Sequence, residues 1–290
     1  QLKGQTAWKT LHELYRQAYT PWEWDKILKD RCQEVGIDFF STPFDETAVM
    51  LLEELDMPIY KVASFEIVDL PLLCCIGQTK KPVILSTGMA TREEIAEAVH
   101  TLEEAGCPQI VLLKCTSSYP AAPEQMNLRT MVDMQNFFRR PVGLSDHTLG
   151  MATAVAAVAL GAKVVEKHFI LSRAAGGPDS SFSMEPLEFA GMVGAVREVE
   201  KALGSVHYGP VGTEKGNLRY RPSIFAVQPI QKGETFGYEN IKTLRPADGL
   251  PCRYYPYLIG RQACRQIEPG TPLNWELVAG GEPVDLKTNS

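Results

Sequence analysis

No apolar run in this sequence reaches the roughly 18 residues that a membrane-spanning helix requires. The first ten residues, QLKGQTAWKT, also lack the charged and then apolar order of a signal peptide. Runs of lysine and arginine are absent, and the net charge at pH 7 is −6. Because a nucleic-acid interface needs concentrated positive charge, these absences predict a cytoplasmic protein that binds neither membranes nor nucleic acids. A mildly acidic protein can still bind a small anion locally.

The seven cysteines are scattered, without the paired spacing that marks a disulfide framework. Cys74 and Cys75 are adjacent and fall within an apolar helical run. Reduced, buried thiols are therefore expected, which agrees with a cytoplasmic protein.

Short apolar segments alternate with amphipathic helical patterns through the first part of the chain. Six segments are predicted as strands, at Ile37–Thr42, Ile59–Ser64, Pro82–Gly88, Gln109–Thr116, Val142–His147 and Lys163–Phe169. This alternation predicts a parallel sheet covered by helices. An open doubly wound sheet and a closed (β/α)8 barrel both fit. The barrel is favoured because polar residues end every strand, and barrel enzymes place their chemistry at the carboxyl ends of the strands.

The strand count falls short of a complete barrel, which has eight strands. No strand pattern precedes Ile37. The first two strands of the barrel are therefore expected to be missing from this chain, with any catalytic group that they carry.

Helix start and stop signals divide the same region. Gly36 is a stop signal, and Thr91 with Glu94 three residues later forms a capping-box pattern. Helices are predicted at Trp22–Glu34, Asp45–Leu55, Leu70–Ile76, Thr91–Ala105, Leu128–Phe138, Met151–Leu160 and Pro186–Leu203.

The composition changes after residue 204, which ends the predicted barrel domain (1–204). Residues 205–221 are glycine-rich and are predicted to form a linker. Residues 222–280 show short strands and turns, and two similar phrases, PIQKGETF and QIEPGTPL, lie about 37 residues apart. This repeat indicates a small β domain with internal pseudo-symmetry, followed by a tail at 281–290.

Two histidines end neighbouring predicted strands. Alternate residues of a strand share a face, so Gly143, Ser145 and His147 point one way. Glu166 and His168 share a face of the next strand in the same manner. Two imidazoles could hold a divalent metal ion and leave open positions for water and substrate. The alternative is a pair of hydrogen-bonded histidines without a metal.

A lysine and several hydroxyl side chains are predicted to line the same end of the sheet. Lys61 lies on the inward face of its strand, and a buried lysine is costly without an anion beside it. The hydroxyl-bearing residues of this group are Thr42, Ser64, Ser86 and Ser145. A bound phosphate or carboxylate is one partner, because hydroxyls donate to anionic oxygens. An internal ion pair of Lys61 with Glu66 or Glu166 is the other.

Four further side chains are candidates whose roles the spacing leaves open. Glu66 could bind sugar hydroxyls, transfer protons or cap the next segment. Tyr119 could line the pocket or pack. Asp179, in a GGPD loop, could add a carboxylate near the metal or its ligands. Arg245 could be a surface charge or could enter the active site of another subunit.

The motifs STPFD, YKVASFE, ILSTGMAT, LLKCTSSYPA, GLSDHT, EKHF and GGPDSSFSMEP occur in this order and precede a KGE…RPADG segment. Together they resemble the sialic acid synthase family over nearly the whole chain. The KCTSSYPA and GGPDSSFS motifs are closer to its pseudaminic acid branch. The resemblance implies a (β/α)8 TIM barrel followed by a C-terminal antifreeze-like (SAF) domain of the β-clip type.

The resemblance also implies roles for individual residues. It makes His147 and His168 the metal ligands, with manganese as the usual ion and magnesium as the alternative. It implies that phosphoenolpyruvate is contacted by Thr42, Lys61, Ser64, Ser86 and Ser145. Positions that match the sugar pocket are Glu66, Tyr119 and Asp179, of which Glu66 and Asp179 are the catalytic candidates.

The same motifs show two differences from the family pattern and imply one oligomeric state. Ser117 stands at a substrate-binding position where the family tends to have asparagine. The family's first strands, with their glutamate and phosphate-binding lysine, are not represented. Arg245 matches an arginine that enters the partner subunit's active site, which implies a domain-swapped homodimer.

The expected function is that of a phosphoenolpyruvate-dependent, C–C bond-forming transferase. The preferred sugar is 2,4-diacetamido-2,4,6-trideoxy-L-altrose, giving pseudaminic acid and phosphate. N-acetylneuraminate and legionaminate synthases are the nearest alternatives. An aldolase that makes a keto-deoxy sugar acid phosphate is disfavoured by the appended β domain. A non-catalytic carbohydrate-binding or scaffold protein is the alternative if the first strands are absent in nature.

Overall fold

Parallel strands and helices alternate in the first of two units, which meet in sequence between Ser205 and Val206. The computed structural model describes residues 11–282. The strands of this unit are β1 (Tyr60–Val62), β2 (Val83–Ser86), β3 (Ile110–Cys115), β4 (Val142–Asp146) and β5 (Val164–Lys167). The helices are α1 (Leu11–Ala18), α2 (Trp22–Val35), α3 (Glu46–Glu54), α4 (Leu70–Gln78), α5 (Arg92–Glu104), α6 (Arg129–Phe138), α7 (Ala152–Ala159) and α8 (Pro186–Leu203).

The order of the strands decides between the two predicted architectures. The sheet runs β1-β2-β3-β4-β5, all parallel, and every connection between neighbouring strands contains a helix. A doubly wound sheet reverses its strand order at a switch point, and no reversal occurs in this sheet. Sequential order is that of a (β/α) barrel, whose active site lies at the carboxyl ends of the strands.

The strand predicted at Ile37–Thr42 is wrong. Residues 37–43 have no regular secondary structure, and no backbone hydrogen bond joins them to β1 in the described part of the chain. Phe39 instead packs against the apolar core without a ladder. The apolar pattern therefore reflected packing, whereas strand formation also requires a hydrogen-bonded neighbour.

The residues predicted to start and stop helices make capping contacts at the helix ends. Gly36 ends α2 in the left-handed conformation, at φ 76°, where glycine carries no steric penalty. The Asp45 carboxylate accepts the Ala48 N–H at the start of α3. Thr91 and Glu94 form the predicted capping box of α5, with bonds of 3.2 and 2.7 Å. These contacts fix where the helices begin and end against the sheet.

The apolar core of this unit lies between the sheet and its helices. Leu85, Leu112 and Leu144 come from three adjacent strands, and Leu73 and Leu102 from two helices. All five are fully buried, and each such side chain contributes about 1.5–3 kcal/mol. Packing of one strand face against helices leaves the opposite face of the sheet for the interior.

The interior face is closely packed at Gly143, in the middle of β4. A Cβ atom at this position would lie 2.3 Å from the Val164 carbonyl oxygen and 2.7 Å from Leu113 Cδ2. The β4–β5 pairing that places Ser145 beside Glu166 therefore needs glycine at position 143.

The second unit is a small β structure built on the repeat seen in the sequence. It contains α9 (Glu214–Asn217), β6 (Ser223–Ala226), β7 (Ile241–Leu244) and α10 (Tyr255–Leu258), and β6 and β7 are antiparallel. Thus α9 lies in the stretch predicted as a linker. The tail predicted at 281–290 lies outside the described residues from 283 onward.

Backbone hydrogen bonds confirm the predicted pseudo-symmetry. Ile230 and Ile267 exchange two bonds of 2.9 Å. Gly233 donates to the Ala263 carbonyl, and Gly270 donates in the same way to the Ala226 carbonyl, at 2.8 Å each. Both glycines have positive φ, 84° and 83°, so each copy of the repeat turns at an equivalent glycine.

Across residues 11–282, no helix combines the length and the apolar character needed to cross a membrane.

Substitution of two glycines tests the packing of the sheet. Gly143→Ala should destabilise the protein by about 1–3 kcal/mol or more, because the added methyl overlaps a backbone carbonyl. Gly194→Ala in α8 should stabilise it by roughly 0.5–1 kcal/mol, because nothing lies within 4 Å of the new atom and helical glycine is unfavourable. Urea unfolding of both variants measures the difference. Equal stabilities would contradict the close β4–β5 contact.

Candidate active site

Polar side chains converge on a cavity at the carboxyl ends of the parallel strands. The cavity has a volume of about 290 Å³. A second cavity of about 720 Å³ shares part of its wall, through Thr42, Phe44, Lys61, Glu166 and His168. This is the end of the sheet where the sequence placed the candidate residues.

Lys61 lies in the centre of β1 and is almost completely buried. Its ammonium donates to Ser86 Oγ at 2.8 Å and to the Val62 carbonyl at 2.9 Å. Glu166 Oε2 lies 3.5 Å away, so the internal ion pair considered from the sequence is present. Burial lowers the pKa of Lys61, and the Glu166 carboxylate partly opposes this shift.

Glu166 lines the cavity, although its sequence position predicts only an ion pair with Lys61 and a shared strand face with His168. It pairs with Ser145 across β4 and β5, and its Oε1 accepts the Ser145 hydroxyl at 2.6 Å. The alternation of strand faces already placed Glu166 on the side of His168. The local pattern does not show the register between β4 and β5. That register places Glu166 beside Ser145, so Glu166 contacts both Ser145 and Lys61.

The two predicted histidines lie side by side, with ring centroids 5.2 Å apart. His147 Nδ1 is 2.9 Å from the Thr116 carbonyl oxygen, to which its N–H donates. His168 Nδ1 is 3.5 Å from Asp179 Oδ2. A histidine held through Nδ1 keeps Nε2 available for a ligand, which is the usual arrangement behind a bound metal ion.

The groups that contact the two histidines shift pKa values in the site. Burial lowers the pKa of His147, but contacts with the Cys115 thiol and the Thr116 carbonyl raise it, and the net shift is upward. The hydrogen bond with His168 lowers the pKa of Asp179. Asp179 is therefore an ionised acceptor beside the ring at neutral pH.

Two aromatic rings enclose the imidazoles. The Tyr119 ring centroid is 4.3 Å from that of His147 and 5.9 Å from that of His168. Phe182 packs 5.0 Å from His168 and 5.6 Å from Tyr119. Burial raises the pKa of Tyr119 to about 12, so its hydroxyl stays protonated. Phe182 was not predicted, because no local pattern shows that its loop folds back over His168.

The loop that carries Asp179 and Phe182 is closed by backbone and side-chain contacts. Met184 N–H donates to the His168 carbonyl at 2.8 Å, and Ile170 N–H donates to the Met184 carbonyl at 2.9 Å. The Arg173 guanidinium forms a bidentate pair with Glu188, with bonds of 2.6 and 2.8 Å. These contacts hold the ends of the loop while its tip faces the cavity.

Ser64 and Cys115 line the cavity near the ends of β1 and β3, and Ser117 contacts both of them. Ser64 and Ser117 share a hydrogen bond of 2.7 Å between their hydroxyls. Cys115 is buried, with Sγ 3.8 Å from Ser117 Oγ and 3.9 Å from His147 Nδ1. Gly88 has φ +48°, and a Cβ there would lie 2.4 Å from Ser64 Cβ. The loop after β2 can therefore approach Ser64 only with glycine.

The remaining predicted residues occupy different places. Thr42 lines both cavities. Glu66 follows β1, and its Oε2 is buried without a hydrogen-bond partner among residues 11–282. Burial raises the pKa of this carboxyl group. Arg245 is exposed in the second unit, directly after β7, and lines neither cavity.

The histidine pair fits a catalytic metal ion better than a structural one. Among the described residues, no group of three or more His, Cys, Asp and Glu side chains is arranged around one point. A structural site uses four protein ligands, whereas a catalytic site keeps positions open. A divalent ion at this place would be held by the His147 and His168 imidazoles, and its other positions would be open to water and substrate.

The fold and cavity define a (β/α)-barrel protein with a polar site at its strand ends and a separate small β unit. Residues 1–208 match the NeuB family and residues 221–279 match the SAF domain. The chain belongs to the NeuB family.

Proteins that resemble this chain include a pseudaminic acid synthase from Campylobacter jejuni, 42% identical over 268 residues, or 91% of this chain and 77% of the relative. An N,N'-diacetyllegionaminic acid synthase from the same species is 41% identical over 246 residues, or 84% and 74%. The solved structure of the spore coat polysaccharide biosynthesis protein SpsE from Bacillus subtilis has a TM-score of 0.61 and 34% identity, covering 93% of this chain and 81% of its own.

Removal of the buried lysine charge tests the electrostatics of the cavity. Below the folded-state pKa of Lys61 both states hold the proton, so the folded protein carries the full cost of burial. Between that pKa and about 10.4 the unfolded state binds more protons, and wild-type stability rises with pH. Lys61→Met removes this cost, and the Glu166 carboxylate that it leaves behind is 40% exposed and still accepts the Ser145 hydroxyl, so the variant should be at least as stable as wild type at pH 7. Its advantage should shrink as the pH approaches 10.

Guanidinium unfolding of wild type and Lys61→Met at pH 7, 8 and 9 provides the measurement. Lys26→Met, which removes an exposed ion pair with Asp30, is the matched control and should change little. A strong loss of stability in Lys61→Met at pH 7 would show that the lysine charge stabilises the fold.

Proposed function

We propose that this protein is a nonulosonic acid synthase that joins phosphoenolpyruvate to an open-chain N-acetylated amino sugar and releases phosphate. The proposed sugar is 2,4-diacetamido-2,4,6-trideoxy-L-altrose, and the product is then pseudaminic acid. One observation supports the proposal most directly: a hydroxyl-bound ammonium and a pair of imidazoles face the same cavity. An anionic donor and a carbonyl acceptor need these two kinds of partner side by side.

The lysine side of the cavity suits the phosphoenolpyruvate. Lys61 donates to Ser86, and its contact with Glu166 is only a loose ion pair at 3.5 Å. The phosphate or carboxylate oxygens of the donor can take stronger, charge-assisted hydrogen bonds from the ammonium. The hydroxyl groups placed to assist are those of Thr42, Ser64, Ser86, Ser117 and Ser145.

The histidine side of the cavity suits the amino sugar. Tyr119 and Phe182 form an aromatic wall, and such rings pack against the apolar face of a sugar. Asp179 is ionised and can accept from a hydroxyl or an acetamido N–H. Glu66, whose buried carboxyl group interacts with Lys61 rather than with the histidines, has a raised pKa, which suits a carboxyl group that donates a hydrogen bond or a proton.

A divalent ion, manganese or magnesium, held by His147 and His168 would supply Lewis-acid polarisation of the sugar aldehyde. The chain's own contribution is to aim the imidazoles. The Thr116 carbonyl fixes the tautomer of His147 through Nδ1, and Asp179 holds the ring of His168 from the same side.

The condensation then follows from the placement of the two substrates. The methylene carbon of phosphoenolpyruvate attacks the aldehyde carbon and forms the new C–C bond. Water adds to the resulting cation at C2, and phosphate leaves by C–O cleavage. Lys61 and the serine hydroxyls keep the donor within reach of the aldehyde, and such positioning supplies a large part of the rate.

The proposed assembly is a domain-swapped homodimer in which Arg245 enters the partner's active site. The similarity of the RPADG motif to the family supports this part of the proposal. The exposure of Arg245 on the second unit is compatible with it.

The choice of sugar is tested by phosphate release with a panel of acceptors. The protein, phosphoenolpyruvate and Mn²⁺ are combined with the altrose derivative, the legionaminate precursor or N-acetylmannosamine. The altrose derivative should give a kcat/KM at least about tenfold above the others, because a mismatched sugar leaves buried polar groups unpaired. Preference for another acceptor would reassign the branch. No phosphate release with any of them would overturn the synthase proposal.

The histidine assignment is tested by His147→Ala. Metal-dependent phosphate release should fall by about 1,000-fold or more, since a Lewis acid is worth several kcal/mol. His100→Ala, on the exposed surface of α5, is the control and should retain activity. Undiminished turnover in His147→Ala, or in wild type with all metal chelated, would contradict the ligand role.

A further inference from the structure

A buried ion pair lies directly behind the two histidines. The hydrogen-bonded ladder between β4 and β5 ends at the pair Asp146 and Lys167, and His147 and His168 follow one residue later on each strand. The ladder itself therefore does not set the distance between the histidines. Asp146 and Lys167 point away from the cavity, because neighbouring residues of a strand face opposite sides.

Asp146 fixes the backbone around His147. Its Oδ2 lies 2.8 Å from Lys167 Nζ. Its Oδ1 accepts the Thr148 N–H at 2.9 Å and the Thr148 hydroxyl at 2.8 Å. A carboxylate that accepts the N–H two residues later closes an Asx turn, and His147 is the residue inside this turn.

Lys167 connects that turn to the neighbouring strand. Besides the Asp146 carboxylate, its ammonium donates to the Thr148 carbonyl at 2.5 Å. Lys167 thus holds two points of the chain on either side of His147, and its own chain continues directly into His168. We call Asp146, Lys167 and Thr148 the strand-end tie. It joins the backbones of the two histidines where the ladder stops.

Stability alone does not account for a charged pair at this place. The side chains of Lys167 and Asp146 are 1% and 0% exposed. A fully buried ion pair can often be replaced by apolar residues without loss of stability. What apolar residues cannot reproduce is the set of directed bonds to the N–H, hydroxyl and carbonyl of Thr148.

We propose that Asp146 and Lys167 are positioning residues that set the separation and orientation of the His147 and His168 imidazoles, and thereby the affinity for a divalent ion. The inference rests on the proposed function, because it takes the two imidazoles as joint ligands. It adds residues on the opposite face of the sheet, which touch neither substrate nor ion.

The test uses the double variant Asp146→Asn/Lys167→Met in the full chain. The amide that replaces the Asp146 carboxylate can still accept the Thr148 N–H, and no unpaired charge is buried, so the fold is kept. Only the cross-strand connection is lost. The affinity for Mn²⁺, followed by the electron paramagnetic resonance signal of the free ion, should fall about 10–100-fold. Calorimetric binding of phosphoenolpyruvate alone should not change.

Lys81→Met is the matched control, because Lys81 forms ion pairs with Glu53 and Asp56 before β2, at the opposite end of the sheet. It should lower the melting temperature and leave the Mn²⁺ affinity intact. If wild type binds Mn²⁺ and the double variant binds it equally, or if Lys81→Met loses as much affinity, the positioning role is wrong while phosphate release by wild type still supports the synthase. Wild type that neither binds Mn²⁺ nor releases phosphate would overturn both proposals.

Discussion

The ammonium of Lys61, buried on the interior face of β1, is the constraint on which the rest of the cavity depends. A charge in this position must have oriented partners, and two other strands of the sheet provide them. Ser86 comes from the neighbouring strand β2, and Glu166 comes from β5 at the other end of the strand order. A contact between β1 and β5, four strands apart in sheet order, requires the sheet to curve. The ion pair of this interior lysine therefore depends on the curvature of the sheet, and it forms part of the cavity at the carboxyl ends of the strands.

Much of the fold was predictable because its signals are local. Gly36, Asp45 and Thr91 fix helix ends through contacts within a few residues, and the period of two assigned faces to Ser145 and His168. The strand at Ile37–Thr42 was mispredicted because pairing depends on a neighbour that the segment's own residues do not reveal. In the site, Phe182 was not predicted, because its position also depends on a contact with residues outside its own segment. It reaches His168 only because the Met184 backbone bonds to the His168 carbonyl, a contact with no counterpart in local sequence pattern.

The second unit shows how a repeat in sequence becomes a repeat in hydrogen bonding. Residues 37 positions apart make equivalent bonds, and Ile230 pairs with its own counterpart, Ile267. The two halves therefore support each other around a shared apolar core that includes Phe236 and Leu273. Such mutual pairing gives residues 206–282 a defined structure although they contain only two regular strands, since most of their ladder consists of single bridges.

The hydrogen bonds that join the two ends of the loop after β5 have an evolutionary consequence. The loop leaves from His168 and returns to it, because the same residue whose ring faces the cavity accepts the Met184 N–H through its carbonyl. Insertions, deletions or exchanges near Gly176 and Gly177 that keep Asp179 in place would reshape the cavity wall, while the backbone of His168 and the contact of its ring stay fixed. Members of the family could in this way differ in the shape of the cavity while the strand end that carries the histidine is inherited unaltered.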